Sequence, residues 1–437
     1  MFIKFIEDSI KQMNIKKIKG TKDFLFDDIY KWKLIETKIK NLFENYNYQE
    51  IRTPILEYSD VFYRSAPYSD IVLKETFRFE DKKGDTIVLR PEGTAPVIRS
   101  YIENKLDRLS KLLKFYYYGP FFRYERPQKG RYRQFHQIGA ELLNVRNNLS
   151  KIEILLLIQD ILSLLQLNQA IIQINHLGDV ETRRRFLDVF TSYLQKYKHQ
   201  LCPLCLKRMK KNILRIFDCK ACSQKDFIKK APLILDYLTR ESKSQFEQIL
   251  KTLSLYKVNF NVNPYLVRGL DYYTDFVFEI TFLLKDQTTN LVLGGGGCYN
   301  DLVKVLGGGF NNQCIGFALG MERLIIALED NGFFCNIKTL QSVDVYILVL
   351  HDKCLQASLF LLRQLRQNQI KAEMNYEIDN LFKNLKKALQ ENPQYIIFIG
   401  EKEISHNQYT IKNISLKKEY ILKPKEIINF LKKELTK

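Results

Sequence analysis

A cluster of basic residues lies between two runs of alternating aromatic and apolar residues. Five cations fall within eleven positions of this stretch: Arg123, Arg126, Lys129, Arg131 and Arg133. The alternation breaks at residues 127–130 and then resumes, which predicts a long-looped β-hairpin. Because alternate side chains of a strand share a face, Arg123 would lie beside Glu125, and Phe135 beside Gln137. Permanent cations held next to an aromatic ring are suited to binding a polyphosphate and an adenine.

A carboxylate and a hydroxyl follow a predicted strand that ends at Arg90. The turn of residues 91–94 leads from this strand into a helix predicted from Pro96, and it directs Glu92 and Thr94 away from the strand end. Together these two groups can pair with an ammonium ion and hydrogen-bond to it. Thr94 can equally be interpreted as the N-cap residue of the helix, so the residues alone leave both roles open.

Four of the eight cysteines form two Cys-x-x-Cys pairs that are separated by thirteen residues. These are Cys202 with Cys205, and Cys219 with Cys222. The spacing is typical of a tetrahedral zinc knuckle, so we predict a structural Zn²⁺. A closed shell of four thiolates leaves no open position for water or substrate, which assigns this metal no part in the chemistry. Four unligated thiols are the alternative.

The composition indicates a large protein that binds a polyanion. At 437 residues the chain is long enough for about two to four domains. A net charge of +19 is the usual signature of a nucleic-acid partner, although biased codon usage would produce the same excess of lysine. Residues 1–14 lack the apolar core of a signal peptide, and the most apolar segment, residues 154–167, is interrupted by polar residues. We therefore predict a cytoplasmic protein with no membrane segment.

Periodicity predicts the elements that would position these side chains. An amphipathic helix over residues 29–46 precedes a strand that contains Pro54, and a buried helix over residues 151–167 follows the hairpin. Residues 179–261 are mostly helical and highly charged, which indicates an insertion. Downstream, a strand, a turn and a helix place Arg323 in the first turn of that helix.

The chain beyond Val343 follows a different pattern. Apolar strands at residues 343–350 and 394–400 alternate with helical segments. This βαβ order predicts a small α/β domain with a largely parallel sheet.

Three stretches, in order along the chain, carry a resemblance to a known family. Residues 121–141, FFRYERPQKGRYRQFHQIGAE, resemble the second signature motif of class II aminoacyl-tRNA synthetases in its histidyl form. LVRGLDYYT (266–274) resembles the histidine-specific signature, and GFALGMERL (316–324) resembles the third class motif. The helix and proline-containing strand at residues 29–58 resemble the first motif. The likeness to the histidyl-tRNA synthetase family extends from about Lys19 to near the C-terminus.

The resemblance implies an α+β fold class. A class II catalytic domain with an antiparallel sheet would occupy residues 1–335, with the helical insertion at about 179–261, and an α/β anticodon-binding domain would occupy residues 343–437. The first motif builds a dimer interface in this class, so a homodimer is implied. The implied function is that of a histidine–tRNA ligase, which uses ATP with Mg²⁺ to form histidyl-adenylate and transfers histidine to the 3′ end of tRNA(His).

The resemblance also implies roles for single residues. Arg123 would hold the α-phosphate together with the substrate carboxylate, and Arg268 would meet the reacting phosphate, which makes these two the catalytic residues. The implied ATP-binding residues are Arg123, Glu125, Arg131, Phe135 and Arg323. The implied histidine-binding residues are Glu92, Thr94, Gln137, Glu141, Tyr272, Tyr273 and Tyr299. Within that set, Glu141 and Tyr273 would pair with the two nitrogens of the imidazole.

The sequence departs from the family pattern at two places. Cys298-Tyr299-Asn300-Asp301 stands where the family tends to have Arg-Tyr-Asp-Gly, and Gln313-Cys314 stands where a proline usually precedes the third motif. Both departures concern loop geometry rather than the cations. The alternative function is that of a synthetase-like regulatory subunit of ATP phosphoribosyltransferase. Such relatives tend to lose the ATP arginines and the C-terminal domain, and this chain has both. A class II synthetase for another amino acid is a further alternative, which LVRGLDYY argues against.

Overall fold

The computed structural model describes residues 15–109, 111–145, 147–309, 313–335, 343–378 and 380–435. The N-terminal stretch 1–14, interpreted above as lacking a signal sequence, lies outside them. The described chain divides into two compact units. The first holds the described residues up to 24 and from 31 to 335, and the second holds residues 25–30 and the described residues from 343 onward.

The helices and strands up to residue 331 fall into two stretches, before and after residue 113. Residues 27–103 form α1 Asp27–Asn45, β1 Gln49–Glu50, β2 Leu56–Tyr58, α2 Ser59–Ser65, α3 Asp70–Lys74, β3 Arg78–Glu80, β4 Thr86–Leu89 and α4 Thr94–Glu103. Residues 113–331 form β5 Leu113–Phe122, β6 Gln134–Val145, α5 Leu149–Leu164, β7 Ile171–His176, α6 Val180–Lys196, α7 Pro203–Lys211, α8 Asp226–Lys229, α9 Arg240–Leu255, β8 Phe260–Val262, β9 Phe276–Leu283, β10 Asn290–Cys298, α10 Leu302–Val305, β11 Gln313–Gly320 and α11 Met321–Asn331.

A large sheet forms the centre of the first unit. Within the described residues its eight strands run in the order β1-β5-β6-β11-β10-β9-β7-β8, and neighbours are antiparallel except for the outer pairs β1/β5 and β7/β8. Helices α1, α5, α9 and α11 cover one face with apolar side chains. Helices α2 and α4 and the small sheet β2-β4-β3 pack against the other face. The predicted antiparallel catalytic fold is confirmed.

Alternate residues of each strand point to opposite faces of the large sheet, so one strand contributes both to the helix-covered core and to the opposite face. On β6, Ile138 and Ala140 face the helix-covered core, so Gly139 and Glu141 face the other side. On β11, Phe317 faces the same core. The residues beside Phe317, which are Gly316 and Ala318, therefore share the opposite face with Gly139, and these small residues leave room above the middle of the sheet.

Two local predictions differ from the structure. The strand predicted around Pro54 is split into β1 and β2, which join different sheets, because proline cannot donate a ladder hydrogen bond. In the hairpin, β5 ends at Phe122, so Arg123 and Glu125 lie in the connecting segment rather than on a strand. The Arg123 N–H still donates to the Arg133 carbonyl at 2.9 Å, which fixes the base of this connection.

The insertion has an apolar core of its own. Phe186, Phe190, Phe217 and Ile234 belong to it, as do three of the four paired cysteines. Helix α9, which lies inside the predicted insertion, packs instead against α5 in the main core. The exact limits of the insertion and of the two domains stay predictions.

The second unit carries its own sheet. Its elements are β12 Val345–Val349, α12 Leu355–Gln367, β13 Ala372–Met374, α13 Leu381–Gln390, β14 Tyr395–Ile399, α14 Glu401–Ser405, β15 Tyr409–Asn413, β16 Lys418–Leu422 and α15 Pro424–Leu435. The strand order is β13-β12-β14-β15-β16. Strands β13, β12 and β14 are parallel, as predicted, and the antiparallel hairpin of β15 and β16 extends the sheet. In the described part of the whole chain, no helix is long and apolar enough to cross a membrane.

Candidate active site

A cleft opens on the face of the large sheet that carries the small residues. Its walls come from β5, β6, β10 and β11, from the connection after β5, from the start of α4 and from the segment before β9. Most of the predicted site residues line it: Glu92, Thr94, Arg123, Glu125, Arg131, Phe135, Gln137, Arg268, Tyr272, Tyr273 and Arg323. Glu141 and Tyr299 are buried behind this lining. Residues far apart in the sequence therefore meet in one place.

Arginines are concentrated at one end of the cleft. The Arg123 guanidinium lies 5.1 Å from the centre of the Phe135 ring, and its Nε donates to the Pro91 carbonyl. Arg131 donates to Glu125 at 3.3 Å. Arg323 donates to the carbonyls of Gly130 and Val292. Backbone acceptors thus aim Arg123 and Arg323, and Glu125 is the acidic side chain that pairs with Arg131 and lies near Arg123.

Burial and neighbouring cations act together on Arg323. Desolvation, followed by the charges of Arg131 and Arg123, lowers the pKa of Arg323 to about 10. With this pKa the guanidinium stays protonated at neutral pH, and a bound anion would stabilise its positive charge. The arrangement is suited to binding several phosphate oxygens at once.

Arg268 approaches the cleft from the segment before β9. Its Nη1 donates to the Glu279 carboxylate at 2.5 Å, whereas its Nε is buried and has no hydrogen-bond partner among the described residues. A side chain at Gly295 would collide with this guanidinium and with the Phe278 carbonyl. The glycine-rich strand therefore allows Arg268 to lie directly against the sheet, where its unpaired Nε can donate to a ligand.

Glu92 occupies the start of α4. Its carboxylate accepts the N–H groups of Thr94 at 2.7 Å and Ala95 at 2.9 Å, and the Tyr272 hydroxyl at 3.1 Å. Burial raises the pKa of Glu92, against the effect of these donors. The N-cap position belongs to Gly93. The alternative interpretation of Thr94 as a capping side chain is therefore wrong, because Glu92 satisfies the free N–H groups.

The Thr94 hydroxyl instead donates to Glu141. Glu141 is fully buried and accepts Thr94 at 2.8 Å, Tyr299 at 2.5 Å and, more weakly, Tyr117 at 3.5 Å. A side chain at Gly316, on the neighbouring strand, would overlap its carboxylate. Desolvation raises the pKa of Glu141 to about 8. Glu141 and Tyr299 thus form a second layer of the site, directly behind Thr94 and Tyr117.

This raised pKa predicts a pH-dependent loss of stability. The folded chain keeps the Glu141 proton up to about pH 8, whereas an ordinary carboxyl releases it near 4.5. Folding then becomes less favourable as the pH rises between these values. We expect Glu141→Gln to match the wild type in thermal unfolding near pH 5 and to unfold at a higher temperature than the wild type near pH 8. An offset that is constant across this range would contradict the assignment.

Sequence reasoning missed three side chains at this site. The Tyr117 ring lies over Gly93 and Gly139, where any Cβ would collide with it. Glu279 anchors Arg268, and the Glu322 carboxylate accepts the backbone N–H of His136 at 2.9 Å. Strand alternation could have indicated Tyr117. The contacts of the two glutamates join residues of different elements, 11 and 186 positions apart, so no strand or helix periodicity indicates them.

The four paired cysteines come together in the insertion. All four Sγ atoms lie within 4.8 Å of one another, and those of Cys202 and Cys219 are 3.7 Å apart. Tetrahedral Zn²⁺ with Zn–S bonds of ~2.3 Å requires sulfur atoms roughly 3.8 Å apart. The thiols therefore have the number, chemistry and spacing that fit this ion.

Comparisons with known proteins bear on both units. Residues 20–324 match a family model described as histidyl-tRNA synthetase, and residues 344–434 match one described as an anticodon binding domain. The histidine--tRNA ligase of Phytoplasma mali (strain AT) is 51% identical over 423 residues, which cover 97% of this chain and 100% of that protein. The histidine--tRNA ligase of Aster yellows witches'-broom phytoplasma (strain AYWB) is 48% identical over 95% of this chain and 96% of its own length. The crystal structure of apo S. aureus histidyl-tRNA synthetase has a TM-score of 0.82 and 33% identity, and covers 96% of this chain and 100% of that one.

The large antiparallel sheet and the arginine-lined cleft define an aminoacyl-tRNA synthetase of class II. The matches make the assignment more specific: the chain belongs to the histidyl-tRNA synthetase family, and its activity is the ligation of histidine to tRNA. The predicted family, fold class and enzyme class are confirmed. The alternative of a regulatory subunit is not favoured.

Proposed function

We propose that the cleft binds ATP, as its Mg²⁺ complex, at the arginine end and histidine at the end formed by Glu92, Thr94 and Gln137. One observation carries this proposal: the cationic group and the carboxylate group, far apart in the sequence, line a single cleft. Arg123, Arg131 and Arg323 would hold the phosphates, while Glu125 and Phe135 would orient and stack the adenine. Magnesium takes oxygen ligands and usually keeps phosphate oxygens and water among them, so it would enter with the nucleotide.

The ammonium group of histidine would lie between Glu92 and Gln137. The Oε1 atom of Gln137 is buried and has no hydrogen-bond partner among the described residues. A buried acceptor of this kind usually has a donor, and the ammonium group of histidine would supply it. Glu92 contributes charge and Thr94 lies beside it. Tyr272 and Tyr273 would form the wall against which the imidazole packs, since both line the cleft.

Selection of histidine would depend on both imidazole nitrogens. Tyr273 would pair with one nitrogen, and the Glu141 carboxyl, which Tyr299 and Thr94 hold behind the lining of the cleft, would pair with the other. A site that hydrogen-bonds both nitrogens can reject analogues that lack them by about 10⁴ to 10⁵, because the buried polar groups would otherwise lose their partners. No separate editing step is then needed.

The chemistry would consist of two displacements. A carboxylate oxygen of histidine attacks the α-phosphorus of ATP, the bond to the β-phosphate oxygen breaks, and pyrophosphate leaves. A ribose hydroxyl at the 3′ end of the tRNA then attacks the carbonyl carbon, and AMP leaves. Neither step needs a covalent bond to the enzyme, so positioning and charge stabilisation by Arg123 and Arg268 would account for the catalysis.

The remaining partners follow from the second unit and from the charge. The second unit would bind the anticodon of tRNA(His), and the net charge of +19 supports a polyanionic partner.

A homodimer is also proposed. Exposed apolar residues lie in the stretch that resembles the first motif, at Ile55, Leu56 and Tyr58, which supports a homodimer that covers them. A cytoplasmic location agrees with a role in protein synthesis. Charging of a histidine tRNA transcript but not of an alanine tRNA transcript tests the tRNA assignment.

A structural zinc is the last part of the proposal. Four thiolates at this spacing would give a closed tetrahedral site that stabilises the insertion. We expect about one zinc per chain in protein purified without chelators or metal resin, and faster proteolysis of residues 179–261 in Cys205→Ser. Cys335→Ser is the matched control, because that thiol is exposed and lies outside the cluster. Clearly sub-stoichiometric zinc with four freely titrating thiols would mean that the cysteines are incidental.

A further inference from the structure

We infer that the helical insertion is a positioning element for histidine activation, and that Asn212 is its principal contact with the catalytic segment, residues 265–273. This inference rests on the proposed roles of Arg268, Tyr272 and Tyr273, which that segment carries. The sequence alone suggests that the insertion stands apart from the chemistry. Three sets of contacts nevertheless connect the insertion to the catalytic segment.

Asn212 makes the most direct connection. It is the C-cap residue that follows α7, the helix whose N-cap is Cys202, and its Nδ2 donates to Asp271 Oδ1 at 2.6 Å. The other carboxylate oxygen of Asp271 accepts the backbone N–H of Tyr68 at 2.8 Å. Asp271 is thereby held from two sides, and the next two residues are Tyr272 and Tyr273 of the cleft.

A shared ion-pair cluster connects the insertion to residues 69 and 70, which in turn contact the segment. Arg208 and Arg215 of the insertion both contact Asp70, at 3.3 and 3.4 Å, and both also pair with Asp218. The neighbouring Ser69 hydroxyl donates to the Gly269 carbonyl at 2.7 Å. Gly269 follows Arg268 directly, so the cluster fixes the backbone from which the catalytic arginine extends.

Apolar packing supplies the third contact. Tyr265 and Val267 pack against the core of the insertion, where the Tyr265 ring meets Phe217 edge-on at 5.7 Å. The Tyr265 hydroxyl also donates to the Lys229 carbonyl at 2.8 Å. Cys205, Cys219 and Cys222 belong to the same core. The insertion therefore fixes residues 265 and 267 by packing and by a hydrogen bond, and the next residue, Arg268, extends into the cleft.

These contacts have a specific consequence for catalysis. Asn212 and the arginine cluster touch neither ATP nor histidine in the proposed arrangement, so they are positioning residues. Release of Asp271 would free the backbone under Tyr272 and Tyr273 and widen the histidine end of the cleft. The arginines that bind the outer phosphates, Arg131 and Arg323, belong to other elements and would keep their geometry.

The test swaps the two side chains that form the hydrogen bond between residues 212 and 271. Asn212→Asp places a second carboxylate against Asp271 and should raise the KM for histidine in ATP–pyrophosphate exchange roughly tenfold or more, with the KM for ATP unchanged. The double variant Asn212→Asp/Asp271→Asn restores the pair, because the new amide can donate to residue 212 and still accept Tyr68 N–H. We expect it to recover most of the wild-type KM for histidine.

Asn368→Asp is the matched control, since Asn368 is the C-cap residue of α12 in the second unit, where its Nδ2 donates to the Gln364 carbonyl at 2.9 Å. A defect that only reduced the folded fraction would lower kcat and leave both KM values unchanged. An unaltered KM for histidine in folded Asn212→Asp, or no recovery in the double variant, would overturn the inference. Absence of histidine-dependent exchange in the wild type would instead refute the proposed function.

Discussion

Replacement of Arg268 by alanine is expected to lower histidine-dependent ATP–pyrophosphate exchange by about 10² to 10³-fold, because one preorganised donor is lost where charge develops at phosphorus. The guanidinium is anchored on one side by Glu279 and keeps a buried Nε without a partner among the described residues. Its contribution should therefore be made mainly in the transition state. The loss should appear in kcat, with smaller changes in either KM.

The matched control for Arg268 is Arg184→Ala, which removes an exposed arginine on α6. Both variants should remain folded in thermal unfolding, since Arg268 belongs to no apolar core. Near-normal exchange by folded Arg268→Ala would contradict its catalytic role. An equal loss in both variants would point to a non-specific effect of charge.

Glu141→Gln is expected to lower kcat/KM for histidine roughly 10-fold to 100-fold and to leave the KM for ATP nearly unchanged. The amide retains the shape of the carboxyl group, but its nitrogen cannot accept a hydrogen bond, so the hydroxyls of Thr94 and Tyr299 can no longer both keep their acceptor oxygens. The network behind the histidine end of the cleft would then be rearranged. The arginine end, formed by other strands, would not be affected.

Glu247→Gln, an exposed glutamate on α9, is the control for this change. Equal increases in the KM for ATP and for histidine in Glu141→Gln would exclude Glu141 from selection of the amino acid. Histidinol, which lacks the carboxylate but keeps the imidazole, should lose affinity for Glu141→Gln in the same proportion as histidine. That comparison separates recognition of the ring from recognition of the reacting group.

The sequence predicted the site best where chemistry is concentrated in short stretches. Arg123 and Arg131 were found because the hairpin concentrates cations, Arg323 was found through the resemblance of its motif, and these three line the cleft. Glu92 and Thr94 were predicted as a pair, but the hydrogen-bond partners of each were not. Only the structure assigns the N–H groups of α4 to Glu92 and the Thr94 hydroxyl to Glu141.

Long-range contacts account for most of what the sequence could not predict. The position of Glu141 behind the cleft depends on Tyr299, 158 residues away, and on a glycine in the adjacent strand. The link from Asn212 to Asp271 joins two polar residues that would each be interpreted as solvated. Pro54 was recognised, but the division of its strand between two sheets depends on which neighbours are present. Local patterns carry no information of this kind.

ATP–pyrophosphate exchange by the purified full-length chain, measured with each of the twenty amino acids in turn, tests the central claim most directly. We expect exchange that depends on histidine and Mg²⁺, with the other nineteen amino acids at background. Exchange with a different amino acid would contradict the assignment of the cleft. No exchange with any of them, by protein that is folded and binds ATP, would contradict the claim that the cleft activates an amino acid.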